Sequence, residues 1–138
     1  MDGGCLARRY MGRIEELARS TVDRNGVTGQ YSYQNAGEPE DSNRGNAFIA
    51  MEPDQTLAAS IRTLQGPGYN SCWVDIRGAE RMGDTWLWTG KKEQAEFGGG
   101  ICRILLRQSG NSLRIDSLNC GYFCGHNAAV DDTYLRKK

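Results

Sequence analysis

From residue 27 onward, hydrophobic and polar positions alternate in short stretches separated by turn residues. Residues 27–33 place Val27, Tyr31 and Tyr33 on one face, because successive side chains of a strand point to opposite sides. Further strands are predicted over 47–51, 57–64, 72–77, 85–89, 101–107 and 112–118. The breaks are the polar loop from Gly37 to Gly45, then Pro53-Asp54-Gln55, Gly66-Pro67-Gly68, Gly83-Asp84, Gly98-Gly99-Gly100 and Ser109-Gly110-Asn111. Glycine and asparagine tolerate positive φ and proline presets φ, so these are turns with a mechanism. No helical pattern separates the strands, which disfavours a parallel α/β sheet. The expectation is a mainly β fold, an antiparallel meander of about seven or eight strands forming a small barrel or sandwich.

The period differs before residue 26. Leu6, Tyr10, Met11, Ile14, Leu17 and Ala18 recur at spacings of three and four, drawing one apolar stripe on a helix over 6–20. Glu15 and Arg19 are placed to pair one turn apart. The pattern stops at Asp23-Arg24-Asn25-Gly26. Its charges are mixed rather than basic, so the helix is expected to pack on the sheet rather than lie on a membrane. The organisation predicted is a single domain: 1–26 as N-terminal helix and turn, 27–138 as the β domain.

Composition narrows the class. The chain has 138 residues, of which 38% are hydrophobic, and a mean hydropathy of −0.62. No apolar run reaches the roughly 20 residues of a membrane-spanning helix. Lysine plus arginine and aspartate plus glutamate are equal at 17 each, so there is no basic surplus to neutralise nucleic-acid phosphates. Arg8, Arg9, Arg13 and the tail Arg136-Lys137-Lys138 are local basic clusters only.

Cysteine usage changes the picture most. The five are Cys5, Cys72, Cys102, Cys120 and Cys124, with no Cys-x-x-Cys spacing, which points to disulfides in an oxidising compartment. Met1-Asp2-Gly3-Gly4 has neither the charged nor the apolar region of a signal peptide, so either the sequence begins at an exported mature form or the compartment is not an oxidising one. The turn at 109–111 puts Cys102 close to Cys120. Cys72 and Cys102 begin strands two apart, about 9.5 Å from each other, whereas a disulfide needs Cα atoms within about 7 Å. The glycine triplet can bend the strand entrance, and the favoured pairing is Cys72–Cys102 with Cys120–Cys124. Cys102–Cys120 with Cys72–Cys124 is the alternative, and both staple the same end of the sheet. Cys5, after Gly3-Gly4, fits the end of a lipoprotein cleavage site. A free thiol or a bridge outside the chain are its other readings.

Catalytic and metal chemistry are weaker than the structural reading. Cys124 and His126 would need a thiolate and an orienting third group to act as nucleophile and base. With Cys120 they fall short of the four ligands of a structural zinc site. The carboxylate pairs Glu38/Glu40 and Asp131/Asp132 lie in polar, solvated segments. No nucleophile elbow, zinc-protease motif or phosphate loop is present. The expectation is no enzyme, no cofactor and no metal. Trp86 and Trp88 share one face and are read as core. Trp73 falls outside if Cys72, Val74 and Ile76 point inward, and an exposed aromatic among polar groups suits binding.

The stretch Cys120-Gly121-Tyr122-Phe123-Cys124-Gly125-His126-Asn127 and on to Tyr134 resembles the ending of small exported proteobacterial proteins similar to periplasmic lysozyme inhibitors. The Gly29-Gln30-Tyr31-Ser32-Tyr33 opening is also similar. His126-Asn127 and Asp131-Asp132-Thr133 depart from the usual alanine-arginine and glycine-turn residues. The resemblance implies a periplasmic or secreted, non-enzymatic protein whose partner is a cell-wall hydrolase, as its inhibitor or immunity protein. A calycin-like binder of a glycan, muropeptide or apolar ligand is the alternative. Such inhibitors insert a loop into the hydrolase cleft, and the candidate loops are 66–70, 91–93 and 121–127. With Trp73 they give the candidate binding residues Tyr69, Trp73, Lys91, Lys92, Tyr122, Phe123 and His126.

Overall fold

The computed structural model describes residues 26–34, 43–65, 70–91, 100–124 and 129–137. The helix predicted over 6–20 lies outside them, as does Cys5. The described residues form strands β1 (Gly29–Gln34), β2 (Arg44–Met51), β3 (Leu57–Gln65), β4 (Asn70–Met82), β5 (Thr85–Thr89), β6 (Arg103–Ser109), β7 (Ser112–Leu118) and β8 (Asp132–Arg136). Each pairs antiparallel with the next, and β8 returns to β1, giving a closed barrel in sequence order.

Alternation builds the interior. Tyr31, Tyr33, Ala47, Ile49, Ala59, Ile61, Val74, Ile76, Trp86, Ile104, Leu106, Leu113, Ile115 and Tyr134 are all buried in one core cluster. An eight-stranded barrel is just wide enough for such side chains to fill. Exposed outward positions of β4, β6 and β7 include the charged Asp75, Arg77, Arg103, Arg107 and Arg114, interspersed with Trp73, Leu105 and Leu118. Five charges on these faces are unlike the apolar band with which a membrane-spanning barrel faces lipid. No helix among the described residues is long and apolar enough to cross a membrane. On β2 and β3 the outward Phe48, Ala50, Ala58 and Ser60 are buried as well, which is why these strands read as nearly continuous apolar runs.

One irregularity aims β4. Its register against β3 shifts between Leu57 and Ala59, and Gly78 there has φ of +78°. The extra residue returns Ala79 to the interior after Ile76, as a β-bulge does. Closure rests on Arg136, whose guanidinium donates to the Thr28 carbonyl at 2.8 Å and to the Gly26 carbonyl. It also lies 4.8 Å from the Tyr31 ring centroid, a cation–π contact. The β8 strand was not separately placed by the alternation: Asp132 opens it, and Tyr134 is its buried side chain.

Glycine is required at position 45. A Cβ there would collide with the Tyr33 ring and approach Thr63 Cγ2 at 3.1 Å. Without it, Tyr33 crosses the interior and meets Tyr134 edge to face at 4.8 Å between centroids.

Candidate functional site at the disulfide-stapled end

Antiparallel order sorts the connections between the two ends of the barrel. One end has the tight connections after β2, β4 and β6. The other has the short connection after β3 and the longer ones after β1, β5 and β7. Loops carried on a rigid sheet are where recognition residues gather, and both disulfides stand at this second end.

The bridges are Cys72–Cys124, with Cα atoms 4.1 Å apart, and Cys102–Cys120, at 4.6 Å. The favoured Cys72–Cys102 and Cys120–Cys124 pairing is therefore corrected, and the alternative stands. β5 lies between β4 and β6, keeping Cys72 from Cys102. Meanwhile the pairing of Arg103 with Leu118 brings Cys102 to Cys120. A one-turn 3-10 helix, Gly121–Phe123, then carries the chain across the end. It delivers Cys124 to the edge of β4, where it pairs with Cys72 as a single antiparallel bridge.

That short turn is held at both ends by covalent bonds. Inside it, Phe123 N–H donates to the Cys120 carbonyl and Cys124 N–H to the Gly121 carbonyl, both at 3.1 Å. Phe123 is half-buried against the core and meets Trp88 at 6.1 Å. Tyr122 stacks edge to face on Phe123 at 5.0 Å yet remains 61% exposed. The result is a row from core to solvent, Trp88 to Phe123 to Tyr122. Beside it, Gly90 N–H donates to the Cys102 carbonyl at 2.7 Å, fixing the backbone just before the exposed Lys91.

The β7–β8 connection is tied down across the end. The Gln65 amide donates to the Ala129 carbonyl and accepts from the Ala129 N–H, each at 2.9 Å, as a neighbouring strand would. Asp131 is part-buried and accepts from Ser117 N–H at 3.0 Å and from the Ser117 hydroxyl. The solvated reading of that carboxylate is thus corrected, since Asp131 is a structural acceptor.

A second exposed aromatic sits on the barrel wall. Trp73 points outward as the alternation predicts and is 59% exposed. Its indole N–H donates to Asp75 Oδ2 at 3.1 Å, and the Arg62 guanidinium lies 4.2 Å from its ring centroid. Ser60, buried beneath, donates its hydroxyl to Asp75 Oδ1 at 2.7 Å.

Of the sequence-predicted residues, Tyr122, Phe123 and Lys91 belong to the stapled end, and Trp73 to the wall beyond Cys72. Tyr69, Lys92 and His126 lie outside the described residues. Cys124 is oxidised, so it has no thiolate to serve as nucleophile, and neither it nor Cys120 is free to bind metal. Sequence reasoning missed the Trp88–Phe123–Tyr122 row. Its signal was the common face of Trp86 and Trp88 together with an aromatic pair enclosed by two cysteines. Comparison of the chain with family models, with curated proteins and with solved structures gives no match.

Proposed function

We propose that this chain is a non-enzymatic periplasmic binding protein that inhibits, or gives immunity against, a cell-wall hydrolase. The observation that carries the reading is Tyr122, exposed on a turn clamped between two disulfide-bonded cysteines at the loop-bearing end of the barrel. A rigid aromatic loses little conformational entropy on docking, so more of its contact energy appears as affinity. Tyrosine at the centre of a patch is also a frequent hot spot. Lys91, exposed at the same end, suits a cleft lined by the acidic catalytic groups of a glycan hydrolase. Two disulfides fit an oxidising compartment, and a site facing periplasm or medium meets such enzymes there.

The calycin-like alternative needs an enclosed ligand space. Ile49, Ile61, Val74, Ile104, Leu106, Leu113, Ile115 and Tyr134 have no surface open to a water-sized sphere, whereas the lining of a ligand cavity would. Close packing of the described interior favours recognition by the outside of the barrel.

The test is titration of purified peptidoglycan hydrolases, lysozymes and amidases included, with the oxidised protein. One enzyme class is expected to lose activity linearly to zero at one equivalent. If none is inhibited or bound at micromolar concentrations, this reading is abandoned.

A further inference from the structure

The wall around Trp73 carries an arrangement that hydrolase inhibition at the stapled end does not use. Trp73 is held in place from two directions, by Asp75 at its indole N–H and by Arg62 across one ring face. Asp75 is itself anchored by the buried Ser60. With the Arg62 guanidinium over its ring, Trp73 still exposes 59% of its surface to solvent. The indole is propped up by a hydrogen-bonded chain that starts in the barrel wall.

The surroundings indicate what it receives. Protein hot spots are ringed by contacts that exclude water. The outer-face neighbours of Trp73 on β3 and β4 are Ser60, Arg62, Ser71, Asp75 and Arg77, with Leu64 as the apolar exception. Polar neighbours beside an exposed indole fit a ligand that is apolar on its ring faces and rich in hydroxyls at its edges. A pyranose ring has this form: its axial C–H groups stack on the electron-rich face of an indole. Each carboxylate oxygen of Asp75 accepts one bond within the protein and keeps a further lone pair, which can accept from a sugar hydroxyl.

We propose that Trp73, with Arg62 and Asp75, forms a surface platform that binds one pyranose ring of a β-linked glycan. The site lies on the wall beside Cys72, and its test does not depend on the hydrolase reading. A protein with both sites holds itself on glycan while its end stays free for a partner.

The test uses the full chain and tri-N-acetylchitotriose as probe, followed by two-dimensional 1H–15N spectra. The expected result is a saturable shift of the Trp73 indole N–H and of the Arg62 and Asp75 amides, with a dissociation constant on the order of 1 mM, as suits one stacked ring. In Trp73→Ala, whose other amide signals report an intact fold, the Arg62 and Asp75 shifts should be lost. The proposal is overturned by an absence of shifts at about ten times that concentration. It is also overturned by shifts that persist in Trp73→Ala. A Trp73 indole that responds to a hydrolase but not to the sugar makes the platform a protein contact instead, and rejects the glycan. No hydrolase enters the first two arms, so failure here leaves the inhibitor reading untouched.

Discussion

Replacing Cys72 and Cys124 together by alanine is expected to lower stability by about 4 kcal/mol. The bridge spans 52 residues of sequence, and a cross-link removes more freedom from the unfolded chain as its loop grows. The second bridge spans 18, so the Cys102→Ala, Cys120→Ala pair is expected to cost about 3 kcal/mol. The logarithmic dependence makes the difference modest although one loop is far longer. For a domain of this size the larger loss corresponds to a fall in Tm of roughly 10–20 °C. Urea unfolding followed by circular dichroism reads both values. A loss below about 1 kcal/mol for the Cys72 and Cys124 pair would show that the barrel stands without its staple.

Tyr134→Ala is the second large effect, about 3–5 kcal/mol. Its side chain is wholly buried, packs edge to face with Tyr33 and donates its hydroxyl to the Val130 carbonyl at 2.7 Å. Truncation empties the space between β8 and β1 and leaves that carbonyl without its donor. Tyr134→Phe keeps the ring and removes the hydrogen bond alone, for about 1 kcal/mol. The ratio between the variants therefore separates packing from polar pairing. The hydroxyls carry a pH signature as well. Burial raises the pKa of Tyr134 and of Tyr33 above the ordinary value of 10.0. Folded-state values above the unfolded one mean that the associated stability is complete below pH 10 and is lost as pH rises beyond it. Tyr134→Phe should accordingly soften the alkaline fall in urea midpoint. An unchanged alkaline limb would assign that loss to other groups.

The barrel wall was legible because period-two alternation and turn chemistry agree. β5 and β7 occupy the predicted residues, and Trp73 faces out because Cys72, Val74 and Ile76 face in. β8 was harder to read. It is short, opens on Asp132, and sets an exposed Leu135 beside the buried Tyr134, so its single inward ring makes no pattern. β4 runs further than expected because the bulge at Gly78 resets its alternation where a reading by strict parity stops.

The bridge pattern failed for a geometric reason. The distance argument against Cys72–Cys102 was sound, since β5 does intervene, but the glycine triplet was given the power to overcome it. Cys120 and Cys124 suggest a local pair because only three residues separate them. The 3-10 turn instead advances the chain across the end, so the two cysteines bond to different strands. The same turn explains the exposure of Tyr122, which no local pattern announced. Its neighbour Phe123 is the aromatic that turns inward to Trp88.

The claim at the centre is that a hydrolase docks on the stapled end with Tyr122 as its anchor. It is tested most directly by comparing the affinity of the native protein and of Tyr122→Ala for the hydrolase that the native protein inhibits. Tyr122 is 61% exposed and outside the core cluster, so the variant should unfold at the same urea concentration as the native chain. Its dissociation constant should rise about thirtyfold or more, the 2 kcal/mol of a hot-spot residue. An affinity unchanged within about threefold, with stability intact, would contradict the account and move the interface away from the disulfide-stapled turn.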